Sequence, residues 1–108
     1  MHLCEMHYLM VTAKNVTGAP SDWSMLLDLL NAQGHRCPYT GDYLVLGVNA
    51  SVDHIYPRLT HRDRINDPSN LEWVTREVND MKKARTPEDF IAFLSVIVKN
   101  GKDRFPSR

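Results

Sequence analysis

The sequence predicts a single α+β domain, on three observations. Apolar residues recur at helical spacing before residue 35 and again after residue 86. Between these stretches, 51–55 and 71–75 have the character of short strands on either side of a long polar segment. The 108 residues suit one modest core, and 43% hydrophobic with 24% charged residues is the balance of a globular chain rather than a disordered one.

Residues 3–14 predict a first helix, with Leu3, Met6, His7 and Met10 on one face. Asn15-Val16-Thr17-Gly18-Ala19-Pro20 reads as a loop, interrupted by Gly and Pro. Ser21 or Asp22 can cap a second helix whose stripe is Trp23, Leu26, Leu27 and Leu30, and Gly34 ends it, so that helices fill 3–34. Cys37-Pro38-Tyr39-Thr40-Gly41 is a turn-rich knuckle, and Tyr43-Leu44-Val45-Leu46 is a short strand candidate. Ser51-Val52-Asp53-His54-Ile55 is a strand that Pro57 ends. Residues 56–69 form a polar loop of a length that is uncommon unless functional. Leu71–Thr75 alternates as a half-buried strand, and 76–85 is helical, with Val78 and Met81 inward. Thr86 caps the last helix, 87–100: Pro87 opens it, Phe90, Phe93, Leu94, Ile97 and Val98 form its buried stripe, and Gly101 closes it. A mobile tail is expected at 102–108.

Charge and cysteines narrow the function classes. No apolar run approaches the roughly 20 residues that span a membrane, and no basic leader precedes an apolar stretch, so a cytoplasmic chain is expected. Cys4 and Cys37 are too few for a disulfide framework; they read as free thiols, with one bridge as the alternative. Formal net charge is zero, but residues 51–108 carry a slight basic excess and residues 1–50 an acidic one. Any nucleic-acid contact is therefore expected in the second half, and to be salt-sensitive.

The residues with chemical potential fall in order along that second half. Asp53 offers a hard anionic oxygen and Asn79 a neutral carbonyl oxygen, a pair suited to Mg²⁺ or Mn²⁺ rather than zinc. One carboxylate is too little charge for two adjacent divalent ions, so one cation is expected. His54 is a candidate general base. Adjacent strand residues point to opposite faces, so Asp53 and His54 can share a site only where the pleat breaks before Pro57. Asn70 can pin nearby backbone and brace His54. Lys82 and Lys83 share a helix face with Asn79 and, with Arg58, Arg62, Arg64, Arg76 and Arg85, are candidates for phosphate contacts. The plainer readings are a packed histidine at 54, a turn or salt-bridge aspartate at 53, and a wet helix face at 82–83. His61 reads as solvated and Tyr39 as core.

Val52-Asp53-His54-Ile55-Tyr56-Pro57 resembles the first signature of the HNH endonuclease family, Asn70-Leu71-Glu72-Trp73-Val74 the second, and Asn79-Asp80-Met81-Lys82 the third, in a His-Asn-Asn variant. The knuckle Arg36–Gly41 resembles the segment that precedes the motif in bacterial and phage members, and the likeness covers about residues 36–90. The resemblance implies a ββα-metal core at about 50–86, with His54 catalytic, Asn70 bracing it, and Asp53 and Asn79 holding one divalent cation. It implies phosphodiester hydrolysis on DNA, one strand nicked per site, by a bacterial or phage-encoded monomer or weak dimer. Some relatives bind structural zinc through Cys pairs. Thr40 stands where the second Cys of such a pair would be, so no structural zinc is expected. The alternative is a non-catalytic DNA-binding or assembly module that keeps the fold.

Overall fold

The computed structural model describes residues 2–64 and 67–105. Among these residues the chain forms four α-helices and a two-stranded antiparallel sheet, an α+β arrangement. None of the helices is long and apolar enough to cross a membrane.

Helix α1 (Leu3–Thr17) runs through part of the expected loop. Gly18, in the left-handed region at φ 83°, closes it by donating its N–H to Lys14 O, so the glycine ends the helix rather than excluding it from 15–17. The buried face is also not the expected one. Leu9 and Ala13, one turn apart, lie against the core, while Leu3 and Met10 are exposed. Helix α2 (Trp23–Ala32) follows a single tight turn at Pro20–Asp22 and buries Leu26 and Leu30 as its stripe predicts. The expected strand at 43–46 does not form. Asn49 donates its side-chain amide to Tyr43 O and accepts from Val45 N, taking backbone groups that a strand partner would have used. Only an isolated bridge between Arg36 and Tyr43 remains there.

Strands β1 (Ala50–His54) and β2 (Leu71–Thr75) pair in a register that sets Val52 against Trp73, Asp53 against Glu72 and His54 against Leu71. Trp73 is the centre of the core and donates its indole N–H to Leu26 O at 2.8 Å, so its single polar group is satisfied inside. The Gln33 side chain accepts from Trp73 N at 2.7 Å and donates to Trp73 O at 2.8 Å, imitating a neighbouring strand along the outer edge of β2. Leu9, Ala13, Leu26, Leu30, Val74 and Phe90 belong to the same core.

Thr75 caps helix α3 (Arg76–Lys82), accepting from Val78 N. The inward residues of α3 are Val78 and Lys82, one turn apart, and Met81, expected inside, is exposed. Helix α4 (Pro87–Arg104) starts at the expected Thr86 cap with Pro87 in its first turn, but Gly101 lies inside it. Of the tail expected at 102–108, residues 102–104 are helical and 106–108 lie outside the described residues. The largest departure is on this helix. Phe90 is buried and Leu94 half-buried, but Phe93, Ile97 and Val98, expected in the buried stripe, are exposed. Among the described residues it is the first turns of α4 that meet the body, through Phe90 edge-on to Tyr39 and the Tyr56 hydroxyl on Glu88. The radius of gyration, 15.6 Å, exceeds the roughly 13 Å of a compact chain of about this size because the rest of α4 projects.

Candidate functional site

At the end of the hairpin where β1 finishes, a cleft of about 220 Å³ opens between the strand, the loop after it and the end of α3. Asp53, His54, Arg58, Asn79 and Lys83 line it, beside Pro57 and Leu59. Asp53 and His54 are neighbours on a strand, yet both reach the cleft because His54 is the last strand residue and the chain bends after it towards Pro57. Surface grooves elsewhere among the described residues are larger, up to about 520 Å³, but none of them combines a carboxylate, an imidazole, an amide and cations.

Lys82 makes this bend possible. Its side chain is fully buried, and its ammonium donates to His54 O and Ile55 O, both at 3.0 Å, and pairs with Asp53 Oδ2 at 3.0 Å. Two of its donors meet these carbonyls, and the fully buried ammonium is enclosed with the carboxylate away from solvent. The expected phosphate contact by Lys82 is therefore corrected: this cation fixes the carbonyls where β1 ends and the carboxylate beside them. Asp53, 4% exposed, is held above the usual carboxylate range by burial, which the Lys82 ammonium beside it only partly offsets. Its Oδ2 is fully buried, and the contact with Lys82 is an ion pair without good hydrogen-bond geometry. Oδ1 is left as the oxygen able to meet a ligand. Glu72, opposite Asp53 in the register, is also raised, first by burial and then by the Asp53 charge.

Asn79 is turned by its neighbours. Its Nδ2 donates to Ser51 Oγ at 2.7 Å and to Val52 O at 3.3 Å. A backbone carbonyl only accepts, so this pair fixes the amide orientation and leaves Oδ1 as the free coordinating atom of the side chain. Asn70, buried, clamps the loop: Oδ1 accepts from Tyr56 N at 2.8 Å, while Nδ2 donates to Tyr56 O and Arg64 O. Its own carbonyl accepts from Ile55 N, so the residues just after His54 are held from two sides. These bonds go to backbone and reach the imidazole only indirectly.

His54 Nε2 lies 3.3 Å from Arg58 Nε, and Arg58 also donates to Val16 O at the end of α1. A guanidinium only donates, so Nε2 carries the ring's lone pair. Lys83, the residue after α3, has φ 50° and ψ −128°, a conformation that glycine adopts freely and a lysine only under strain. The remaining expected cations lie away from the cleft. Arg62 and Arg64 sit on the loop, with Arg64 over the Tyr56 ring. Arg76 opens α3 at the other end of the hairpin, and Arg85 bonds Met81 O and covers Phe93.

The roles of Lys82 as a buried tie, Ser51 as the anchor for Asn79 and Arg58 as the partner of His54 were not read from the sequence. The first had a signal: Lys82 follows Val78 by one helical turn, and a lysine on an inward face needs a buried anion, for which Asp53 is the candidate. Among the described residues, no group of three or more His, Cys, Asp or Glu side chains converges as a metal centre would. The cleft's donor set is thinner, one carboxylate with an amide and an imidazole. It fits one hard cation whose other ligands come from outside the protein, and not two. No family model matches the chain, and no curated protein matches it significantly.

Proposed function

We propose that this chain is a metal-dependent endonuclease with a ββα-metal core, hydrolysing DNA phosphodiester bonds and nicking one strand per site. The observation that carries the reading is the meeting of Asp53, His54 and Asn79 in one cleft with Arg58 and Lys83. Asp53 Oδ1 and Asn79 Oδ1 would hold one Mg²⁺ or Mn²⁺, which when bound stabilises negative charge on the phosphate and leaving oxygen.

The protein's own groups do the rest. His54 Nε2, the acceptor of the Arg58 contact, takes the proton from an attacking water as the water oxygen bonds to phosphorus and the phosphorus–oxygen bond to one strand breaks. The leaving oxygen takes a proton from solvent. Arg58 must release Nε2 for this, and an arriving phosphate draws its guanidinium away with a stronger, charge-assisted contact. Lys83 supplies a second cation to the same phosphate. Asn70 and Lys82 keep the segment from His54 to Tyr56 fixed, so that the imidazole is presented without rearrangement.

A second reading keeps the fold and DNA binding but not turnover. One observation favours it: Lys82 already neutralises Asp53, which weakens the pull of the site on a free cation. Incubation of supercoiled plasmid with the protein and Mn²⁺ or Mg²⁺ separates the two. The enzyme gives relaxed circles that disappear with EDTA and with His54→Ala. Plasmid left intact across metals and from pH 6 to 9, while still retarded in a gel, establishes the module instead.

A further inference from the structure

Helix α4 carries an apolar surface that the described residues of the chain leave uncovered. Ile91 and Val98 are 51% and 53% exposed, and with Leu94 they line a groove closed on one side by Ser95, Lys99 and Lys102. A helix of four to five turns rich in Ile, Val and Phe is marginal in water unless one face is packed. Something is therefore expected to cover it.

The pattern of the helix says what. Ile91, Leu94, Val98, Gly101 and Phe105 follow one another at alternating steps of three and four, the seam of a two-helix coiled coil. Glu88, Ser95 and Lys102 recur every seven residues along one flank of that seam. Set antiparallel to a second copy about Ser95, this flank brings Glu88 of each helix to Lys102 of the other, and the two small Ser95 side chains to the axis. In the seam, Leu94 then meets Val98, and Ile91 meets Gly101. Gly101 needs that explanation: it lies inside the helix, where glycine costs about 1 kcal/mol against alanine, and a Cβ there would meet nothing of its own chain within 4 Å. A parallel pairing would set this flank beside the opposite one, which carries Phe90 and Ile97, and would leave Glu88 and Lys102 without each other. We infer that α4 is a self-association surface, pairing antiparallel with α4 of a second copy of this chain around a two-fold axis at Ser95.

This inference does not depend on the nuclease reading. A single helix pair is at the small end of stable interfaces, so the dimer is weak and sensitive to salt. Sedimentation velocity of the full chain, from about 1 to 500 µM at low salt, tests it. Wild type associates across this range. Glu88→Lys and Lys102→Glu each weaken association about tenfold, because each places like charges at both ends of the pair. An equimolar mixture of these two variants regains wild-type association, since every end then faces its opposite. Gly101→Leu weakens association although it adds apolar surface, because it fills the space of Ile91 of the partner. Circular dichroism of each variant checks that the fold is kept. A chain that stays monomeric up to 500 µM overturns the inference and leaves the face to a different occupant. So does a mixture that associates no better than its components, or a Gly101→Leu chain that associates more tightly than wild type.

Discussion

At the cleft the chain buries charge, and along α4 it exposes hydrocarbon. Lys82 and Asp53 are shut inside between the hairpin and α3, each against the other, whereas Ile91, Val96 and Val98 stand in solvent. Both regions invert the usual distribution, for opposite reasons. Desolvating a lysine and a carboxylate is costly, and a hydrophobic pair of similar size would often serve stability as well. What the ion pair adds is position: it holds two successive carbonyls and a carboxylate at the bend where β1 ends. The exposed face of α4 costs little in the isolated chain but leaves a long helix without packing. The first region is enclosed by described residues, and the second is left open by them.

The largest effect that sharpens this contrast comes from Lys82→Met. Removing one partner of a fully buried pair leaves an uncompensated carboxylate, with a loss of about 3–5 kcal/mol in chemical denaturation at pH 7. Asp53 is already raised, so the sign is fixed. A carboxyl raised in the folded state gives its full stability below the unfolded value and loses it as pH rises through the folded one. The Lys82→Met penalty should therefore shrink as pH is lowered towards 4, and adding Asp53→Asn should recover part of it at pH 7. By comparison, Val96→Ser on α4 should shift stability by less than about 0.5 kcal/mol in dilute protein. Equal losses at the two positions would mean that the buried pair holds nothing in place.

Next in size is Asn70→Ala. It strips Tyr56 N, Tyr56 O and Arg64 O of their partner, and unsatisfied buried groups cost roughly 1–3 kcal/mol. The melting temperature should fall and, on the endonuclease reading, nicking should slow. An unchanged melting temperature would remove the clamp from the account.

The two regions were also unequally legible in the sequence. Around the cleft the signals were local and chemical. Thr86 caps its helix as expected, and Asp53 and His54 lie on the expected strand and Asn79 on the expected helix. The inward turn of Lys82 is hidden by its charge, which favours a surface position and leaves Met81 as the core candidate, although the helical period from Val78 favours Lys82. In α1 and α4 the helices were read correctly but their faces were not. Periodicity shows that a helix has an apolar stripe, not what lies opposite it. The stripe of α4 was assigned to the chain's own core, whereas the body offers it only the surroundings of Phe90. The 43–46 segment was lost for another reason: the Asn49 side chain competes for the backbone, and propensity does not register that competition.

A smaller change tests whether strain at the cleft serves function. Lys83→Gly removes a positive-φ penalty of about 1 kcal/mol and should raise stability, while Lys83→Ala, which keeps most of the penalty, should not. On the endonuclease reading both slow nicking, since both remove the cation. A glycine variant that is both more stable and fully active would mean that the lysine has no part in phosphate binding.

The smallest effect concerns the second carboxylate of the hairpin. Glu72 is raised by burial and then by the charge of Asp53 across the strand pair. Its folded value lies above its unfolded one, so the neutral form is favoured by folding, and ionisation withdraws that stability as pH rises. Glu72→Gln keeps the shape and cannot ionise. At pH 7 it should therefore melt at a higher temperature than wild type, and the difference should close as pH is lowered below the ordinary glutamate value of 4.5. The same substitution removes a negative charge beside Asp53, so Asp53 should ionise more readily and, on the endonuclease reading, nicking should persist to lower pH. If Glu72→Gln is less stable at pH 7, Glu72 makes a favourable contact with Lys82 that outweighs its repulsion from Asp53, and the buried charges act as a triad instead of a pair with a bystander.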